Sequence, residues 1–270
     1  MIRVATGLSM AHRVIGTRLV IAAMMMSGCS DGSGGTTTDG GATTDAPAAQ
    51  LSSVVSVIQL QGISYAAADA SFGSQPANST TLGTVGACTA VETATSSSTL
   101  GLSAGVVTVT TDQATATLVP SGSPPTYTGA PLPRPPFSPG ATVSASATGS
   151  SDVPAFALHA SAPSDIEGYT APSSISRSAG YTATWIAGNG QDFLLIIRVS
   201  QGGTDDVLQC DVPDTGSYAV PASALGYLGT GSGSTPATMQ LRRSGTATDS
   251  ASGVELLVTT AVTAQVPLVP

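Results

Sequence analysis

Residues 181–199 read YTATWIAGNGQDFLLIIRV, and this stretch decides the fold. Tyr181, Ala183, Trp185 and Ala187 fall on alternate positions, and Phe193, Leu195, Ile197 and Val199 resume the alternation after Asn189-Gly190. A period of two places every second side chain on one side of a pleated strand, whereas a helix would space them by three and four. Asn-Gly suits the positive φ of a two-residue hairpin loop, so the stretch reads as two antiparallel strands joined at 189–190.

The same period recurs outward in both directions. In GVVTVTTDQATATLV, residues 105–119, Val107/Val109 and Ala116/Leu118 alternate with threonines around a turn at Asp112-Gln113. Residues 140–148 put Val143, Ala145 and Ala147 on one face and Thr142, Ser144, Ser146 and Thr148 on the other. In residues 254–266, Val254, Leu256, Val258, Val262 and Val266 point inward, and Glu255, Thr259 and Gln265 outward. No stretch of similar length has a helical period, and turn residues return about every 8 to 12 positions, the spacing of antiparallel sandwiches.

APSDIEGYTAP, around residues 163–172, interrupts the alternation with prolines and charge and marks a domain boundary. The expected organisation is all-β. Two antiparallel β-sandwich domains of immunoglobulin or fibronectin-III architecture occupy residues 51–165 and 166–270. PLPRPPFSPG is a long loop of the first, and Trp185 is buried near the start of the second.

The first 28 residues form a leader, in which Arg3, Arg13 and Arg18 precede or flank the apolar run Leu19 to Met26. Met10 is an alternative start. The run falls well short of the roughly 20 apolar residues a spanning helix needs. Met26-Ser27-Gly28-Cys29 resembles a bacterial lipoprotein box, with Met where Leu is usual, so Cys29 is the expected lipidation site. Ordinary signal cleavage is the alternative. Residues 30–50 hold no Val, Ile, Leu, Met or aromatic side chain and read as a flexible tether.

The 270 residues are 41% hydrophobic and only 9% charged, with no lysine and a net charge of −8, which becomes −11 when the leader's arginines are lost. A chain with no basic field and 4% aromatics is poorly suited to nucleic acid. Expected partners are the membrane, through the N-terminal lipid, and an envelope protein or glycan. Localisation is expected at the bacterial cell envelope. Ser30, next to Cys29, points to the outer membrane by resemblance to the sorting rule of enteric bacteria.

The series GACTAVE, LSAGVVTVT, FSPGATVSASATGSSDVPAF, AGYTATWIAG and CDVPDTGSYAVPASAL resembles a group of uncharacterised secreted lipoproteins from myxobacteria and their relatives. The resemblance covers residues 85–243. It implies a surface-anchored β protein of no assigned activity, with no catalytic residues to carry over.

The sharpest chemical suggestion is Asp214-Thr215-Gly216-Ser217, the string that aspartic proteases place at a catalytic carboxylate. Such enzymes need two of these aspartates sharing a proton, and this chain has one, preceded by Pro213. A turn is the better reading, with Asp214 bonding to backbone amides, Gly216 at positive φ, Ser217 to Val220 as a strand and Pro221 opening a helical turn; Asp214→Asn is then expected to leave activity untouched and to alter stability only modestly. Gly101-Leu102-Ser103-Ala104-Gly105 matches a nucleophile elbow, but a strand follows it where a helix belongs. His159 is the only histidine beyond the leader, reads as a solvent-facing strand residue, and cannot make a zinc site with two cysteines.

Asp205, Asp206, Asp211 and Asp214 lack the spacing of a calcium loop. Pro131 to Pro136 reads as a surface loop before a polyproline ligand, and Trp185 as core before a sugar platform. No metal, cofactor or catalytic residue is therefore expected. The reading is a non-catalytic structural or adhesion module, with a glycan or small-ligand binder as alternative and a hydrolase as a remote one. With Cys29 lipidated, Cys88 and Cys210 remain to form a disulfide between the two expected domains; two buried free thiols are the alternative.

Overall fold

The computed structural model describes residues 52–62, 65–74, 79–94, 100–201, 203–229 and 234–270. The leader, Cys29 and the tether lie outside the described residues.

Among the described residues fourteen strands of four residues or more carry the fold: β1 Ser52–Gln61, β2 Tyr65–Ser74, β3 Ser79–Val85, β4 Cys88–Ala94, β5 Val107–Thr110, β6 Thr115–Leu118, β7 Thr142–Ala147, β8 Phe156–Ser161, β9 Tyr181–Thr184, β10 Asp192–Gln201, β11 Thr204–Asp211, β12 Ser217–Val220, β13 Thr235–Asp249 and β14 Val254–Val269. One short helix, α1 Ala222–Leu225, follows Pro221. The protein is all-β, as the alternation requires.

The main sheet runs β3-β4-β11-β10-β13-β14-β1-β2 and is extended at the β2 edge by Ala130–Pro131. A second sheet runs β8-β7-β5-β6, and β9 pairs with β12 as a separate ribbon. The main sheet is mixed. β1 lies parallel to β14 from Ser53↔Val254 to Gln61↔Val262, while its other neighbour, β2, is antiparallel.

Two apolar cores sit side by side on one face of this sheet. In the first, Val55, Val57, Ala68, Phe72, Leu256 and Val258 meet Val107, Val109, Leu118, Val143, Phe156 and Leu158 of the four-stranded sheet. In the second, Phe193, Leu195, Ile197, Leu208, Met239 and Leu241 meet Trp185, Ile175, Val220, Leu225 and Leu228 from the β9–β12 ribbon, α1 and nearby loops. Both are sheet-on-layer sandwiches whose inner faces obey the period of two.

The chain does not divide at 163–172 into two self-contained sandwiches. β3 and β4 come from the first half of the sequence but extend the second core's part of the sheet, where β4 pairs with β11. The N-terminal part of β14 comes from the second half but supplies Val254, Leu256 and Val258 to the first core. β13 and β14 make this possible because their 15 and 16 residues span both cores. Propensity marks where strands lie, but it holds no record of which neighbour each strand takes.

The expected hairpin at 189–190 is also absent. β9 pairs with β12, and β10 with β11 and β13, so residues 185–191 cross from the ribbon to the main sheet. Gly188 and Gly190 serve this crossing by close approach: a Cβ on either would overlap the Arg243 side chain. The hairpin at 112–113 does form, with Val107↔Leu118 and Val109↔Ala116 in register. Thr259, expected outward, does lie on the sheet's other face, yet it is buried and shares a hydrogen bond with Ser244 there.

Cys88 and Cys210 are directly opposite on β4 and β11 and form a disulfide. The bond joins two neighbouring strands of one sheet within the second core, and does not tie two domains together. It still closes a span of 122 residues. A Cys88→Ala/Cys210→Ala variant is expected to lose up to about 5 kcal/mol of stability by the chain-entropy account, read as a lower urea midpoint. The oxidised wild type, denatured, should titrate no thiol from this pair.

Candidate functional site

The aspartate of the DTGS string lies in the most highly connected polar cluster among the described residues. The cluster begins with β13, whose alternate residues Met239, Leu241 and Arg243 point to the core face. Arg243 therefore enters the interior, where its side chain is fully buried. Its row in the sheet runs Gln59, Thr260, Arg243, Phe193, so the boundary between the two cores is marked by polar side chains.

Every donor of that guanidinium is used. Nε donates to Asp214 Oδ2 at 2.7 Å, and Nη2 to Asp214 Oδ1 at 3.1 Å and to the Ile186 carbonyl at 3.0 Å. Nη1 donates to the Asp165 carbonyl at 2.6 Å and to both the hydroxyl and the carbonyl of Ser164. The two-pronged contact with Asp214 is the fork geometry that makes arginine–carboxylate pairs strong. Phe193 lies beneath the cation, 5.5 Å from ring centroid to Cζ, and Trp185 stacks on Phe193 at 4.3 Å.

Asp214 is equally committed. Beyond Arg243 it accepts from Trp185 Nε1 at 2.6 Å and from the Gly188 amide at 3.2 Å. Burial opposes its ionisation, but the hydrogen bonds from Arg243 and Trp185, the guanidinium charge and the Gly188 amide outweigh it, and the pKa lies below the ordinary value. The carboxylate is held charged as a counter-ion. A proton-sharing catalytic dyad demands the opposite arrangement, with a second carboxyl close by.

Gly216 does take positive φ, at 95°, so the turn reading holds for the backbone. It fails for the side chain, whose main partners are an arginine and an indole. With these partners Asp214→Asn is expected to cost more than the modest loss of stability that a turn alone implies. On the opposite face of β13, Arg242 shows what an arginine without a bonded carboxylate looks like: burial lowers its pKa and its Nε has no hydrogen-bond partner. Burial likewise raises the carboxyls of Asp192 and Glu255 that flank it.

The other candidates are scattered. Ser103 accepts from the Gly105 amide and caps its own loop ahead of β5. His159 is exposed on β8, opposite Ser144. Asp205 bonds Ser200 and sits 3.7 Å from Arg198, while Asp206 accepts the Gly229 amide. No group of three metal-ligating side chains occurs among the described residues. Trp185 is buried in the second core with its indole nitrogen satisfied. Sequence reasoning missed Arg243; an arginine on the inward phase of a strand, with a lone aspartate in a nearby turn, was the available signal.

Removing one member of a buried ion pair leaves the other uncompensated, at a cost of about 3–5 kcal/mol. Asp214→Asn and Arg243→Met should each destabilise by about that much, whereas the Asp214→Leu/Arg243→Met double variant should recover part of the loss; urea unfolding of the four proteins checks this. The stability that Asp214 adds is complete above the unfolded carboxylate pKa of about 4 and is lost as pH falls through its lower folded value. Acid titration of stability should therefore fall more steeply below about pH 4 in the wild type than in Asp214→Asn.

No protein-family profile matches the chain, and no curated protein matches it in sequence. Among solved structures it is similar to the FN1–FN3 domains of chicken CNTN1, at 11% identity and a TM-score of 0.21, over 68% of this chain and 66% of that one. It is also similar to a 1.5-MDa bacterial ice-binding adhesin, solved for its retention at the host cell surface, at 13% identity and a TM-score of 0.20, over 81% of this chain and 65% of that one. The chain thus spans just under two thirds of the length of each.

Proposed function

We propose that this chain is a lipid-anchored protein of the bacterial cell envelope, with a non-catalytic structural or adhesion role. The observation that carries the non-catalytic part is the Asp214 carboxylate, which is spent on Arg243, Trp185 and Gly188. The sharpest chemical suggestion in the sequence is thereby accounted for as architecture. Anchoring rests on the sequence: an apolar run, small residues and Cys29, followed by a tether with nothing to bury. A lysine-free, acidic β domain on such a tether stands clear of anionic headgroups and presents its surface outward.

The anchor is tested by Cys29→Ser. The variant should leave the membrane fraction or accumulate unprocessed, and its unchanged membrane retention would overturn the anchor. The interaction role is tested by cross-linking and pull-down of the full chain from envelope fractions, where a specific partner should be recovered from wild-type cells.

A further inference from the structure

The edge of the main sheet next to α1 holds an open cleft lined by Leu82, Glu92, Gln201, Thr204, Asp206 and Tyr227. Three elements build it. β4 and β11 continue past the second core on the core face, so that the residues following Ala90 and preceding Leu208 on that phase, Glu92 and Asp206, stand directly opposite each other. α1 ends just before Tyr227, which brings its ring to the adjoining β3. The phenol end of the ring lies over Gly83, in the space a Cβ would occupy, so glycine at 83 is what lets the ring rest on the sheet. Tyr227 is 37% exposed.

The charged side chains that line this cleft, Glu92 and Asp206, are both acidic. Asp206 uses one oxygen on the Gly229 amide, and neither Asp206 nor Glu92 has an ion-pair partner among the described residues. Like charges directly opposite on neighbouring strands repel, so this pair is a cost to the fold that a bound cation would offset. A tyrosine ring beside two carboxylates offers a surface for C–H groups and for a cation. The cleft, about 360 Å³, is larger than the tip of one extended amine requires and suits a ring.

We propose that this cleft binds an amino sugar. Its ammonium group lies between Glu92 and Asp206, its pyranose face rests on Tyr227, and hydroxyls meet Gln201 and Thr204. Sugars bearing acid groups are repelled by the same carboxylates. The site names a ligand for the interaction role proposed above and rests on it.

The test is calorimetric titration of the purified full chain with a glucosamine tetramer, its N-acetylated counterpart and tetralysine, at about pH 6 where the amines are charged. The glucosamine tetramer should bind with a Kd of about 1 mM or tighter. Tyr227→Ala should weaken it by about tenfold, and Glu92→Gln should remove most of the preference over the N-acetylated form. Gly83→Ala, which displaces the ring without removing it, should act like Tyr227→Ala. Absence of binding at 10-fold above about 1 mM, equal affinity for the N-acetylated form, tighter binding of tetralysine, or indifference to Tyr227→Ala would each overturn the proposal. Far-ultraviolet circular dichroism of the variants verifies that they fold. A partner recovered by pull-down that still binds the Tyr227→Ala chain would leave the interaction role standing while the cleft assignment fails.

Discussion

The buried guanidinium of Arg243 is the constraint on which the arrangement of both cores depends. An arginine without solvent must have its charge balanced and its donors filled, and here the fill comes from three separate parts of the chain: residues 164–165, Ile186 and Asp214. None of these segments is a regular strand. Each is a connection that would otherwise be free to wander, and a single side chain fixes all of them against the sheet. A hydrophobic residue at 243 could fill the volume but could not bind carbonyls, so the specificity of the crossing resides in polar geometry.

The segment at 162–172 shows how the same chemistry defeats a domain boundary. Its prolines, charge and lack of alternation are what a linker looks like in sequence. Yet Ser164 and Asp165 are bonded to Arg243, the Ile166 amide donates to Gln61, and Gln59 reaches Asp165. A connection of linker composition lies pinned across the polar row between two cores, and one continuous sheet runs beneath it. The cores remain distinct because the row of Gln59, Thr260 and Arg243 separates them, even though no gap in hydrogen bonding does.

What was legible in the sequence follows from what a single strand knows about itself. Alternation in 107–118, 142–147, 192–199 and 254–266 identified strands and their inward faces, because the pleat dictates both locally. Pairing was not legible. Asn189-Gly190 has the composition of a hairpin turn, but its neighbour Gly188 and Gly190 itself are small to clear the Arg243 side chain, a reason that exists only once β13 is beside them. The Cys88–Cys210 bond was reachable by counting thiols, whereas its place on adjacent strands was not, since β4 joins β11 across more than a hundred residues. The aspartate of DTGS was legible as a turn residue and illegible as a counter-ion, because its partner lies 29 positions away with no local mark.

The parallel pairing of β1 with β14 carries a consequence for how the protein comes into being. Ser53 and Val254 are neighbours in the sheet but roughly 200 residues apart in the chain. Closing so long a loop is entropically costly before any contact repays it, and topologies dominated by such contacts fold slowly. Among the described residues β1 and β2 reach the rest of the main sheet only through β14, so this end of the sheet cannot join the remainder until β14 is present. The first core, which needs Val254, Leu256 and Val258, is therefore incomplete for as long as β14 is still being made, whereas the pairings of β10 and β11 ask for nothing so late in the chain.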